Sequence, residues 1–160
     1  MKARILKLMS GVTAALLLTL SVGVTTASAE SSWQGQASNT PAIVRTMNYY
    51  GSPIFAPPSP APSGKVKMIT FNATFANVPA GKQVFGGICP VGYSERYCAD
   101  ITDKIYGAAA VGSVTLKDFG LSNLPASTSF FFVWGIADSA DNLVSPNMVV
   151  NRQQMVVFYE

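Results

Sequence analysis

From residue 30 onward the chain is cut into short β-branched and aromatic runs by Gly, Pro, Asn and Asp, and no apolar pattern of period 3.6 persists. Helical packing is thereby excluded as the source of a core, and sheets remain. Strands are predicted over 43–50, 66–75, 83–89, 97–101, 113–119, 129–136 and 148–159. That many short strands predict an all-β chain, a single immunoglobulin-like β-sandwich of about seven strands. Within 66–75, Ile69, Phe71, Ala73 and Phe75 alternate with Thr70, Asn72 and Thr74, as a half-buried strand requires. Val66 and Met68 fall on the opposite phase, which predicts a bulge near Met68.

The core has ample material, with two Trp, six Tyr and nine Phe, 49% hydrophobic residues and 12% charged. Such a composition excludes a disordered chain, and 160 residues suit one domain. Residues 1–29 carry Lys2, Arg4 and Lys7 ahead of an apolar run that closes on Ala27-Ser28-Ala29, the pattern of a cleaved secretory signal peptide. The domain then spans 30–160. The leader also explains the net charge of +3, since eleven bases less those three leaves eight, against eight acids. A neutral mature chain with no basic cluster has no footprint for nucleic acid, and no second apolar stretch is long enough to predict a membrane span.

Cys89 and Cys98 are the two cysteines, and export sends them to an oxidising compartment, so a structural disulfide is expected. They flank the turn Pro90-Val91-Gly92-Tyr93 and would tie the arms of a hairpin. The stretch 53–64 holds half of the ten prolines and cannot pair as a central strand. It reads as a stiff crossover loop between strands, with docking through a PxxP segment as the alternative.

With no histidine, Ser-His-Asp and Cys-His relays and His-ligated metals are impossible. Asp100 with Asp103 and Asp138 with Asp141 lie in turn-like sequence, where Asp bonds its own backbone. Calcium at Asp138, Asp141 and Asn142 lacks the closing bidentate Glu of the 12-residue loop. Neither a phosphate-binding loop nor a nucleophile elbow is present, so neither an enzyme nor a cofactor is expected. Asn72-Ala73-Thr74 fits the glycosylation sequon but reads as the polar face of a strand. The run Phe130-Phe131-Phe132-Val133-Trp134 is apolar on both faces and predicts a strand buried between layers. Trp33, Tyr49 and Tyr50 stand in a more polar segment and are either core edges or anchors of a partner-binding site.

Several of these residues occur in a familiar order: Trp33 soon after the cleavage site, Gly64-Lys65-Val66 opening a strand, Cys89, then Arg96 shortly before Cys98, Phe132-Val133-Trp134, and a final strand through Asn151 to Tyr159. In this order the chain resembles the flagellar FlhE family of small periplasmic proteins, most clearly from Lys82 onward. It departs from that pattern in a longer loop between Cys89 and Cys98 and in the proline-rich crossover. The resemblance implies a periplasmic accessory of flagellar assembly, chaperone-like or gate-like, that binds a flagellar structural or export protein to prevent premature assembly or proton leakage; the oligomeric state stays open. Two other classes are compatible with the residues. One is a pilus subunit assembled through an usher, with Tyr159 penultimate, although 30–40 lacks the alternation of a donor strand. The other is a carbohydrate- or protein-binding β module with Tyr93 and Tyr97 as its platform.

Overall fold

The computed structural model describes residues 30–40, 43–46, 49–138, 140 and 148–160. The leader, residues 1–29, lies outside them, as do Asp141 and Asn142. Ten strands form: β1 (Ser31–Thr40), β2 (Ile43–Thr46), β3 (Tyr49–Gly51), β4 (Val66–Ala76), β5 (Gln83–Pro90), β6 (Ala99–Asp100), β7 (Ile105–Tyr106), β8 (Ala109–Thr115), β9 (Phe130–Ala137) and β10 (Val149–Tyr159). They divide into two antiparallel five-stranded sheets, one ordered β1-β10-β4-β8-β7 (sheet A) and the other β2-β3-β9-β5-β6 (sheet B). The architecture is the all-β sandwich that the short apolar runs demand.

The core is built from alternate residues of the two sheets. Sheet B contributes Phe130, Phe132, Trp134 and Ile136 of β9 with Val84 and Ile88 of β5; sheet A contributes Ile69, Phe71, Ala73 and Phe75 of β4 with Met155 and Val157 of β10. At the centre the Trp134 ring stacks on Phe132 with centroids 5.2 Å apart and meets the edge of Phe75 at 4.9 Å. Its Nε1–H donates to Oε1 of buried Gln153 at 2.8 Å, a hydrogen bond that crosses from β9 to β10 and joins the sheets. Gly86 lies opposite Trp134 in the register, and a Cβ there would collide with the indole ring. The glycine is what lets the largest side chain of the core lie flat against the neighbouring strand.

The expected bulge is present. Met68 pairs with Phe158 and Val66 with Tyr159, so Lys67 is the extra residue on β4. It projects outward, and its ammonium pairs with Glu160 at 3.0 Å and Glu30 at 3.9 Å. The hydrogen bond to the Glu160 carboxylate raises the Lys67 pKa above its ordinary value.

Four expectations are corrected. The run 97–101 is a strand only over β6, since Tyr97 ends a 3-10 turn (Glu95–Tyr97). The run 43–50 holds two short antiparallel strands, β2 and β3, instead of one strand. The run 113–119 ends as a strand at Thr115, because the Asp118 carboxylate accepts the Thr115 N–H at 2.7 Å and its Oγ1–H at 3.0 Å, turning the chain so that Phe119 enters the core. Finally, 31–40 is a ten-residue edge strand paired with β10 from Ser31↔Tyr159 to Thr40↔Val150. Its inward positions include Trp33, Gly35 and Ala37, of which two are small, so hydropathic alternation is faint. The small residue is required, since a Cβ at Gly35 would lie 2.6 Å from the Phe55 ring. As for 53–64, it crosses from sheet B to sheet A and is tied down near both ends: Phe55 exchanges backbone hydrogen bonds with Phe130 at 2.8 and 2.9 Å, and the Gly64 carbonyl accepts the Ala126 N–H at 3.0 Å.

Gln153→Leu leaves the Trp134 N–H without this acceptor in a dry interior and should lower unfolding stability by about 1 to 3 kcal/mol. In a double-mutant cycle by urea unfolding, Trp134→Phe should cost less in the Gln153→Leu background than in the native one; additive costs would show that the bond contributes nothing. Asp118 gives a second expectation. Thr115's backbone hydrogen bond lowers its folded-state pKa, so its contribution is full above the unfolded value and is lost as pH falls through the folded one. Asp118→Asn should therefore flatten the acid limb of stability below about pH 4, read from urea midpoints against pH.

Candidate functional site

Cys89 is the penultimate residue of β5 and Cys98 follows a 3-10 turn (Glu95–Tyr97), and the two form a disulfide with Cα atoms 4.2 Å apart. Beyond it the chain returns along β5. Ile101 N–H donates to the Gly86 carbonyl at 2.9 Å, and Gly86 N–H donates to Thr102 Oγ1 at 3.3 Å. The segment 90–104 is therefore fastened at one end by a covalent bond and at the other by backbone pairing. It stands as a wall along the edge of sheet B.

Between this wall and the outer surface of the sheet lies a groove of about 520 Å3. Its floor is Gly87 of β5 and Val133 of β9, cross-strand neighbours; Phe85 and Phe131 bound it along the strands, and Cys89, Cys98, Ala99 and Thr102 belong to the wall side. Gly51 of β3 joins from the other flank. Among the described residues the two charged groups lining it are both acids, Glu95 and Asp100. Asp100 Oδ1 accepts the N–H of Thr102 at 2.9 Å, and neither acid is in an ion pair among the described residues. A volume in this range, mostly apolar with a few placed polar groups, is that of a ligand or side-chain pocket.

The groove corrects one expectation about β9. Phe130, Phe132 and Trp134 are fully buried, but Phe131 and Val133 are half-buried on the opposite face and line the groove. Two adjacent glycines, Gly86 and Gly87, were the available signal: one admits Trp134 inside, the other opens the outer surface.

The aromatic candidates are not brought together. Trp33 lies in β1 of sheet A, 5% exposed, its Nε1–H donating to the Ala126 carbonyl at 3.0 Å and its ring 6.3 Å from Phe130. It fills the core edge. Tyr49 and Tyr50 are in β3 of sheet B, with Tyr50 in register with Trp134. Tyr93 and Tyr97 meet edge to face, interplanar angle 87°, so they do not form a coplanar platform. Arg96 lies 4.6 Å over the Tyr97 ring and donates to its hydroxyl at 2.7 Å. The turn acids act locally: Asp138 Oδ1 accepts the Ala140 N–H at 2.9 Å, and Asp103 pairs with Lys104 at 2.8 Å. Asn72 is exposed on the outer face of β4, as a strand's polar face should be.

A disulfide closing so short a loop should contribute about 2.5 to 3 kcal/mol. Cys89→Ala with Cys98→Ala should lower stability by that amount, and thiol labelling of the unreduced, unfolded native chain should find no free cysteine. Labelling at both positions would refute the bridge.

No family model matches the chain, and no curated protein matches it in sequence. Among solved structures, the crystal structure of FlhE superposes with a TM-score of 0.52 at 21% identity, covering 82% of this chain and 97% of that chain. Over that span, the two-sheet sandwich built around Trp134 and stapled at Cys89–Cys98 has the fold of FlhE.

Proposed function

We propose that this protein is a periplasmic flagellar accessory protein, chaperone-like or gate-like, which binds a flagellar structural or export component and prevents premature assembly or proton leakage. The observation that carries the reading is the FlhE fold, matched over nearly the whole of that chain. The ordered set of residues from Trp33 to Tyr159 supports it independently of the superposition. A paired Cys89–Cys98 and the leader-like residues 1–29 favour an extracytoplasmic location. No helix among the described residues is long and apolar enough to cross a membrane.

The working mode is contact between proteins, not catalysis. β1 is terminal in its sheet, and an edge strand of ten residues offers backbone groups to a partner's extended segment. The same strand argues against the pilus subunit: residues 31–40 pair with this chain's own β10, so the segment that would be donated to a neighbour is used at home. For the carbohydrate module, the perpendicular Tyr93 and Tyr97 rings give little support.

Deletion of the gene should impair motility, misplace filaments into the periplasm or acidify the cytoplasm. Normal behaviour in all three would overturn the flagellar assignment. A stable, soluble monomer purified without a usher-type chaperone is the expected outcome against the pilus alternative.

A further inference from the structure

We infer that the groove on the outer face of sheet B is a partner-binding site distinct from the β1 edge, and that it takes an extended segment pairing an apolar side chain with a neighbouring Lys or Arg. This deepens the flagellar reading and rests on it for the partner's biological identity, but the chemistry is argued from the groove alone. Its floor, Val133 beside the bare Gly87 backbone, excludes nothing by charge and accepts an aromatic or branched side chain. Among the described lining residues the charge is of one sign: Glu95 and Asp100 are both exposed carboxylates, with no base beside them in that set. An apolar pocket with a one-signed rim selects a partner of the opposite sign and repels an acidic one.

Preorganisation favours this site over the rest of the surface. The wall is held by the disulfide at Cys98 and by the Ile101 and Thr102 hydrogen bonds to Gly86, so little ordering remains to be done on binding. The outer face of sheet A has a second depression of about 410 Å3, but Thr70, Asn72 and Gln154 line it without a charge to select a partner.

The test uses the purified full mature chain and three acetylated nine-residue peptides: alternating Phe and Lys, alternating Phe and Glu, and alternating Ser and Lys. Fluorescence anisotropy should give saturable binding of the first, binding at least ten-fold weaker for the second, and none for the third. Methyl NMR of the native chain should show shifts at Val133, Ala99 and Thr102, with Val111 and Val156 of sheet A unmoved. Glu95→Gln with Asp100→Asn, which keeps an acceptor for Thr102, should weaken the Phe-Lys peptide by about five-fold or more. Equal binding of the Glu peptide, shifts confined to sheet A, or affinity unchanged in the double variant would each overturn the inference. So would concentration-dependent self-association that covers Val133 and is not displaced by the Phe-Lys peptide. In the deletion strain, full rescue by a double variant that no longer binds peptide would remove the groove from the function while leaving the flagellar assignment intact.

Discussion

The sandwich depends on the seat given to Trp134. A side chain of this size, 1% exposed, can lie between two sheets only if one neighbour yields volume and another accepts its N–H. Gly86 yields the volume and Gln153 Oε1 accepts the hydrogen bond, from different sheets. Phe132 and Phe75 then pack on the remaining faces of the indole. Together these contacts set both the spacing of the sheets and their relative register, because the hydrogen bond from β9 to β10 is met at one alignment. A polar pair in an otherwise apolar core adds direction to packing that hydrophobic burial alone leaves loose.

The same strand that anchors the interior furnishes the outer surface. Because side chains alternate along β9, burying Phe130, Phe132 and Trp134 obliges Phe131 and Val133 to face away from the core. On an ordinary outer face these would be an apolar liability. Here the segment 90–104 is folded back beside them, clamped by the Cys89–Cys98 bond, and the exposed strip becomes a bounded groove with an acidic rim. The staple thus links stability to recognition: the bond that shortens the unfolded chain's options also fixes one wall of the candidate site.

Much of this was legible beforehand. The alternation of Ile69 to Phe75 predicted an inward face, and its phase break at Met68 predicted the bulge that turns Lys67 toward Glu160. Two cysteines in one chain have one possible intramolecular pairing. What escaped was β1, whose inward residues Gly35 and Ala37 carry almost no hydropathic signal; at Gly35, Phe55 occupies the space a side chain would need. Also missed was the division of Phe130 to Trp134 into core and groove, since every residue in that run is apolar and pattern alone assigns all of them to the interior.

By itself, then, the sequence determined an all-β chain, its main strands, the disulfide and the absence of histidine-based chemistry, because period-2 alternation, turn residues and residue identity are local properties. Tertiary structure decided which sheet each strand joined, that Trp33 packs at the core edge, and that Val133, Gly87 and two carboxylates share one groove. Those outcomes depend on what covers each face, and the covering elements come from distant parts of the chain: Ala126 over Trp33, Phe55 beside Gly35, and the loop closed by Cys98 against β5. Alternation says that a face exists; only packing says whether it meets a core, a partner or water.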